Sequence, residues 1–577
     1  MFLRESKQKR VTGEIITHLQ LAESVWNRET RRADTRIVYN FGRADDAQVV
    51  ERLRALAKGI LRRVSPEEIL AERPEWKLVD AWPYGDLYAV EQLWGRIGMH
   101  ELLPALTRDD TRRTLPVERA SFAMVSNRCL APCSKLYLYE QWLREDVRVD
   151  GGERLELHHL YRSMDFWEKH REDLEREVYF RVADLCSVDV ELVFYDTTTL
   201  HCEIDQEDAG GAEDVTRHGS HLAGFKEYEA LRQRSKSSKN KRSDVPQIVV
   251  GMAMTRDGLP VRSWVFRGDT VDVKTVEKVR ADLRGWKLTR SVFVGDAGMV
   301  SEKNLRALSA GGGKYILCMP IKRGNAISED VISRAGRFKK VADNLFVKQV
   351  VVGDGERRRR YVVCYNPDEA SRQAKHREAI LEELRAALPG LNAASEDMEG
   401  HTKHACELRA SERYGKYLVQ DERGKLALDP VRVKQAERLD GKFVVHSNDD
   451  TLNPEDLALG YKQLAIVERA WRLLKSGIQI RPMFHWAPHR ICAHVSMTMM
   501  ALLMERIAEN TCGDTWRNIR DDLRQVKLAQ LLTPNGELWQ VTEPGPAASS
   551  RLKQLGIPSP PPVARVAPPP THTRPLA

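Results

Sequence analysis

Glu-Leu-Val-Phe-Tyr-Asp (191–196) and Ser-Val-Phe-Val-Gly-Asp (291–296) are two short apolar runs, each ending in an aspartate. Runs this short, rich in Val and Phe, read as buried strands. Side chains on a strand alternate between faces. Leu192, Phe194 and Asp196 therefore share one face, as do Val292, Val294 and Asp296. If the two strands are parallel neighbours, both acids emerge at the same edge of a sheet, where open α/β sheets place their sites. An acid at the end of a buried strand is costly unless something uses it.

The elements around these runs follow a definite order. Residues 190–204, 247–254 and 259–266 read as strands, with Arg256-Asp-Gly258 turning the last two into a hairpin. Residues 272–284 carry a helical stripe (Val273, Val276, Val279, Leu283) and stop at Gly285. Strand 291–296, helix 301–310 and strand 315–320 complete β-β-β-α-β-α-β. The predicted fold class is mixed α/β, with the element order of a ribonuclease H-like core. Such a core needs one more helix carrying an acid. The candidate is 454–476, after a long insertion.

On that helix Tyr461, Glu468 and Lys475 are spaced seven and seven, which keeps them within about 20° per step of one face. Arg472 lies four residues beyond Glu468, able to pair with it or with a phosphate. Taken singly, Asp196 reads as a turn or cap residue, Asp296 as an Asx-turn and Glu468 as a surface acid. Taken together they suggest a catalytic, metal-binding triad. Three close carboxylates repel one another without a counterion. Mg²⁺ takes oxygen ligands, and two such ions about 3.5–4 Å apart support in-line displacement at phosphorus.

The matching stretches are Tyr-Asp-Thr-Thr-Thr (195–199), Val-Pro-Gln-Ile-Val-Val-Gly (245–251), Asp-Gly-Leu-Pro-Val (257–261), Phe-Arg-Gly-Asp-Thr (266–270), Val-Gly-Asp-Ala-Gly-Met (294–299) and 461–482. Through them the chain resembles a bacterial insertion-sequence DDE transposase of the insertion-sequence-four superfamily, in its sixteen-thirty-four branch. That family's helix signature is Y-x2-R-x3-E-x6-K. Tyr461, Glu468 and Lys475 match it, while Leu464 replaces the arginine. The resemblance implies Asp196, Asp296 and Glu468 as the DDE triad, two Mg²⁺ ions with Mn²⁺ as a substitute, and a β-rich inserted domain. It also implies double-stranded DNA as partner (transposon ends and target) and a homodimer in the synaptic complex. The expected reaction is cleavage at terminal inverted repeats, then strand transfer by transesterification. Two rivals are a ribonuclease H-like nuclease and an inactive transposase-derived DNA-binding regulator.

The rest of the chain sets the expected organisation. A β-hairpin (15–26 and 35–41), a helix at 47–63, and a helix opened by Asp86 as N-cap precede two helices near 116–128 and 134–144. That last pair reads either as a helix-turn-helix or as two packed core helices. Expected domains are 1–185, a mainly helical DNA-end-binding region; 186–320, the first part of the core; 321–450, the insertion; 451–540, the final core helices; and 541–577, a proline-rich disordered tail. The insertion should hold a hairpin (346–352 and 357–365), a helix at 368–387, and strands at 404–410 and 416–420. The first residues are polar, no apolar stretch looks long enough for a membrane helix, and the expected location is cytoplasmic and nucleoid-associated. No Cys-x-x-Cys pair occurs in the sequence. His401, His404 and Cys406 lack a fourth ligand nearby and read as a solvated loop rather than a zinc site.

A net charge of +8 and a pI near 8.9 fit nucleic-acid binding without requiring it. Local charge is more telling. Residues 232–242 hold six cations and no acid: Arg232, Arg234, Lys236, Lys239, Lys241 and Arg242. This run reads as a phosphate contact, or more plainly as a solvated loop. Arg357 to Arg360 form a second candidate. Arg481 and His485 follow the catalytic helix and are expected near DNA, with Tyr461, Arg472 and Lys475. Neutralising the 232–242 run is expected to weaken DNA binding without changing end preference. Each lost phosphate contact should lower the log–log salt slope by about 0.9, and unchanged slopes would remove the run from the DNA surface.

Overall fold

The computed structural model describes residues 2–9, 15–27, 32–61, 76–108, 115–185, 192–209, 230–235, 242–286, 291–321, 330–355, 358–393, 398–422, 424–534 and 536–567. They fall into two compact units. One comprises 1–81, 529–540 and 562–577, and the other 82–528 and 541–561.

In the first unit, β1 (Phe2–Lys9), β2 (Ile15–Asn27) and β3 (Arg32–Arg43) form an antiparallel sheet, followed by the helix Ala47–Leu61. The predicted hairpin is present as β2 and β3, and β1 adds a third strand. A four-stranded sheet joins β4 (Lys77–Pro83) to strands Lys527–Thr533, Gly536–Val541 and Val563–Ala567. The tail expected to be disordered thus supplies that last strand and the helix Pro546–Gln554. The helix buries Ala548 and Leu552, apolar residues that its proline content had masked.

The second unit is built on a nine-stranded sheet. Its strands are β5 (Leu192–His201), β6 (Gln247–Met254), β7 (Pro260–Arg267), β8 (Val292–Gly295), β9 (Lys314–Met319), β10 (Lys339–Ala342), β11 (Leu345–Val352), β12 (Arg359–Tyr365) and β15 (Lys442–Ser447); a separate small hairpin pairs β13 (Leu418–Gln420) with β14 (Leu426–Leu428). The strand order is β10-β11-β12-β15-β9-β8-β5-β6-β7. Strands β5, β6 and β7 are antiparallel, while β5, β8 and β9 are parallel. The predicted order of the first five strands is therefore present.

The insertion differs from expectation. Instead of a separate β domain, β10, β11, β12 and β15 extend the main sheet. β15 pairs antiparallel with β9, from Val444 opposite Met319 to Ser447 opposite Ile316. This covers a β9 edge that would otherwise expose a row of unpaired backbone groups. The expected strand at 404–410 is a helix, Met398–Ala410, on which His404 and Cys406 are exposed.

Alternation along the strands sorts the core onto two faces. Phe194, Leu200, Val250, Met252, Val294 and Ile316 face one helical layer, which includes Val467, Ala470, Trp471 and Leu474. Val193, Tyr195, Val249, Phe293 and Leu317 face the other, with Val279, Leu283 and Leu308 from the helices Val276–Gly285 and Glu302–Ser309. The helix Val117–Leu130 is buried along nearly its whole length, while the helix expected at 134–144 is a short turn, Lys135–Tyr137, and the π-helix Leu138–Asp146, with Leu136 and Tyr137 exposed. Asp86 is not an N-cap. Tyr84 holds that position, and Asp86 lies buried in the first turn, its carboxyl raised by desolvation. The helix Pro488–Cys512 corrects the membrane expectation. It is long and apolar enough to span a bilayer, but 89% of its apolar window is buried inside the protein.

Tyr195 lies across its neighbour strand at Gly251. A Cβ there would sit 2.5 Å from the Tyr195 hydroxyl oxygen. Gly251→Ala is expected to destabilise the protein by about 1–3 kcal/mol through overpacking. Urea unfolding followed by tryptophan fluorescence measures it, and a wild-type midpoint would show that the ring has room to move.

Candidate functional site

Strands β5 and β8 pair Leu192 with Val292, Val193 with Phe293 and Phe194 with Val294. The same offset carried two residues further sets Asp196 level with Asp296. Neighbouring strands lie about 4.8 Å apart, so the two carboxylates begin from adjacent backbone positions. Strand β8 ends at Gly295, whereas β5 runs on against β6 to His201. By alternation Asp196 projects on the face of Phe194, toward the layer containing the helix Ala465–Ser476. Asp196 is half-buried and Asp296 exposed.

The third acid is only partly brought in. Ala465–Ser476 packs against β5 and presents Glu468 to solvent. Among the described residues no three carboxylate, imidazole or thiol groups are gathered closely enough to share one ion. The long helix expected over 454–476 is two helices, Pro454–Lys462 and Ala465–Ser476. A tight turn joins them, with Leu464 N–H bonding Tyr461 O and Val467 N–H bonding Leu464 O. Bonds of this i→i+3 kind advance the chain faster around the axis than α-helical bonds do. The seven-residue phase from Tyr461 to Glu468 is therefore shifted. Tyr461 instead turns inward and stacks near Phe443, and its hydroxyl donates to Asp296 Oδ1 at 3.3 Å. Burial pushes the Tyr461 phenol well above its ordinary range, with the Cys318 thiol and Asp296 adding to the shift.

A fourth acid escaped the sequence reading. Asp272 opens the turn Asp272–Lys274, and its Oδ1 accepts a 2.5 Å hydrogen bond from Thr197 Oγ1. A Cβ on Gly298 would sit 3.3 Å from Asp272 Oδ2. Asp272 thus holds the residue that follows Asp196 and lies beside the turn that follows Asp296. Its only sequence signal was its place at a helix start, which carries no chemistry.

The basic residues divide by burial. Arg232, expected at phosphate, is buried in an ion pair. Its side chain is 7% exposed and pairs with Asp208, itself 2% exposed, at 2.7 Å. A second hydrogen bond links Arg232 Nε to Asp208 Oδ1 at 2.9 Å. Arg234 bonds the carbonyls of Asp205 and Asp244, and Arg242 pairs with Asp244 at 2.8 Å. Lys236, Lys239 and Lys241 lie outside the described residues. In the second cluster Arg359 is held by Glu302, Arg360 by Asp449 O and Gln349, and Arg358 by Asp450; Arg357 is outside the described residues. Arg472 is exposed and Lys475 half-buried on the Glu468 helix. Arg481 lies 3.4 Å from His201 Nδ1, at the far end of β5 from Leu192. His485 is buried.

Residues 214–504 match the family model described as a transposase DDE domain, and residues 3–73 match the N-terminal domain of IS1634 family transposases. The chain belongs to the DDE transposases. Within them it is an insertion-sequence transposase of the IS1634 family, an enzyme of DNA cleavage and strand transfer, a class that works with divalent metal. No curated protein matches it. Among solved structures it is similar to a cryo-EM structure of a piggyBac transposase synaptic complex with hairpin DNA. That likeness has 8% identity and a TM-score of 0.32, and covers 77% of this chain and 79% of the other.

Because Arg232 leaves Asp208 buried and unpaired when removed, Arg232→Ala is expected to cost about 3–5 kcal/mol of stability. The salt slope of DNA binding should stay unchanged. A lowered slope with a wild-type unfolding midpoint would return Arg232 to the DNA surface.

Proposed function

We propose that Asp196, Asp296 and Glu468 form the catalytic triad of this transposase, on a core of ribonuclease H-like layout. The observation that carries the proposal is the β5–β8 register, which sets two aspartates level at one sheet edge with the Glu468 helix packed over the same strand. The strand order β7-β6-β5-β8-β9, three antiparallel then two parallel, supports the layout.

The donor set fits a hard divalent cation, since it offers carboxylate oxygens alone. Two Mg²⁺ ions, or Mn²⁺ in their place, would be held by Asp196 and Asp296 with Glu468. Bound there, the ions would supply Lewis-acid stabilisation of the attacked phosphorus and its leaving oxygen. The chain's own residues provide the rest. Asp196 and Asp296 fix the site to the rigid sheet. Tyr461 orients the Asp296 carboxylate through its hydroxyl. Glu468 rides on a helix whose buried face anchors it, leaving the carboxylate free to swing in. Arg472 and Lys475, on the same helix, are the groups to steady the phosphate being attacked. We read Arg481, with the Lys236, Lys239 and Lys241 run, as further backbone contacts. The substrates are the terminal inverted repeats and a target duplex, held by two copies of the chain.

Asp196→Asn, Asp296→Asn and Glu468→Gln are each expected to lower end cleavage by about 10²–10⁴. Folding and duplex binding should be retained. Tyr461→Phe should cost far less, since it removes one hydrogen bond. The assay is metal-dependent nicking and strand transfer on duplexes carrying the element's inverted repeats. Nicking that survives Asp196→Asn would sink the triad. Nicking without strand transfer by the wild type would point to a nuclease.

A further inference from the structure

A cleft of about 640 Å³ opens between the chain entering the π-helix Leu138–Asp146, the helix Leu157–Lys169 and the connector that follows the Glu468 helix. Lys135, Tyr161, Arg162, Phe484 and His485 are among its lining residues. None of them belongs to the triad. Its volume lies within the range of ligand sites, about 300–1,000 Å³.

Lys135 is the unusual group. It is 3% exposed, and its Nζ has no hydrogen-bond partner among the described residues. A buried ammonium is retained only with a compensating partner. Burial, with repulsion from Arg128, holds Lys135 well below the ordinary lysine range. Among the described residues no carboxylate lines the cleft to answer it. Arg490 also lines it but is already committed to Asp165, at 2.7 and 3.0 Å. Burial, then Lys135 and Arg128, pushes the His485 imidazole down to about 3, so it stays neutral. The helix Pro488–Cys512 begins at the cleft, with Ala487 as its N-cap, and its N-terminal dipole end favours an anion.

The rim selects among anions. Arg162 is exposed, with no ion-pair partner among the described residues, and Phe484 is 61% exposed. A guanidinium beside an open aromatic ring suits a phosphate joined to a sugar and base better than a bare ion. We propose that this cleft is a second DNA contact, in which Lys135 and Arg162 hold a backbone phosphate while Phe484 packs against the adjoining nucleotide. It would grip the strand away from the cleaved bond. The proposal rests on the reading of the chain as acting on DNA.

The experiment uses the full chain with Lys135→Met and Arg162→Gln. Duplex binding is followed by fluorescence anisotropy across a salt series, and thermal unfolding with and without inorganic phosphate. Lys135→Met removes a buried amine that has no hydrogen-bond partner among the described residues, so its unfolding temperature without phosphate should equal or exceed that of the wild type. Duplex affinity should fall roughly tenfold, as for loss of a charged hydrogen bond. The salt slope should fall by about 0.9. Wild-type affinity and slope in Lys135→Met would overturn the proposal. Loss of phosphate stabilisation with unchanged duplex binding would also overturn it, by making a free anion the occupant. If Lys135→Met fails to fold, Arg162→Gln at the rim decides by the same slope. Failure of the wild type to bind duplex at all would instead sink the DNA reading of the whole chain.

Discussion

Strands β5 and β8 lie side by side, parallel, with both faces of each buried. Everything at the candidate site depends on their register. A slip of one residue would move Asp296 out of line with Asp196, and the β8 side chains to the wrong faces of the core. Phe194 and Val294 pack on one layer while Val193 and Phe293 pack on the other, so the slipped register would exchange two differently shaped cores. Hydrophobic packing therefore fixes where the polar chemistry stands. The aspartates themselves contribute nothing favourable to that choice, since two like charges at one edge repel.

The sheet also explains where the long insertion goes. A core ending at β9 would leave a strand edge open. Instead β15 pairs with β9, and β12, β11 and β10 follow it outward. The helix Pro454–Lys462 packs over β9, β11, β12 and β15, which ties the insertion to the entry of the Glu468 helix. The insertion is thus continuous with the scaffold that aims the third acid. The tight turn after Lys462 then decides which side chains face the sheet. It sends Tyr461 to Asp296 and leaves Glu468 at the surface.

Charge in this protein has two separate uses. Arg232 is buried against Asp208, and Arg360 is fixed by backbone and amide groups, so both act as structural cations. Lys135 is just as buried, but its Nζ has no hydrogen-bond partner among the described residues. A count of lysine and arginine in a window cannot separate these cases, because the difference lies in which acid folds back onto the cation. Asp208 lies 24 residues before Arg232, and no local pattern links the two.

Local periodicity determined most of the fold. Short apolar runs located β5 through β9, and the hairpin expected at 346–352 and 357–365 is the β11–β12 pair. The two aspartates and their shared edge were legible because a strand has a period of two and each acid directly ended an apolar run. Three things were not legible. The stretch expected as a strand at 404–410 formed a helix, which its Ala, Glu, Leu and Arg residues favour. In the described part of the tail a helix formed, because Ala548 and Leu552 found a surface to cover. Asp272 joined the site through a hydrogen bond to Thr197, 75 residues away in sequence. Sequence alone thus determined which residues could carry the chemistry, because periodicity is a property of neighbours along the chain. Only the tertiary structure decided which of them stand together, because register, edge pairing and burial are set by contacts between segments far apart.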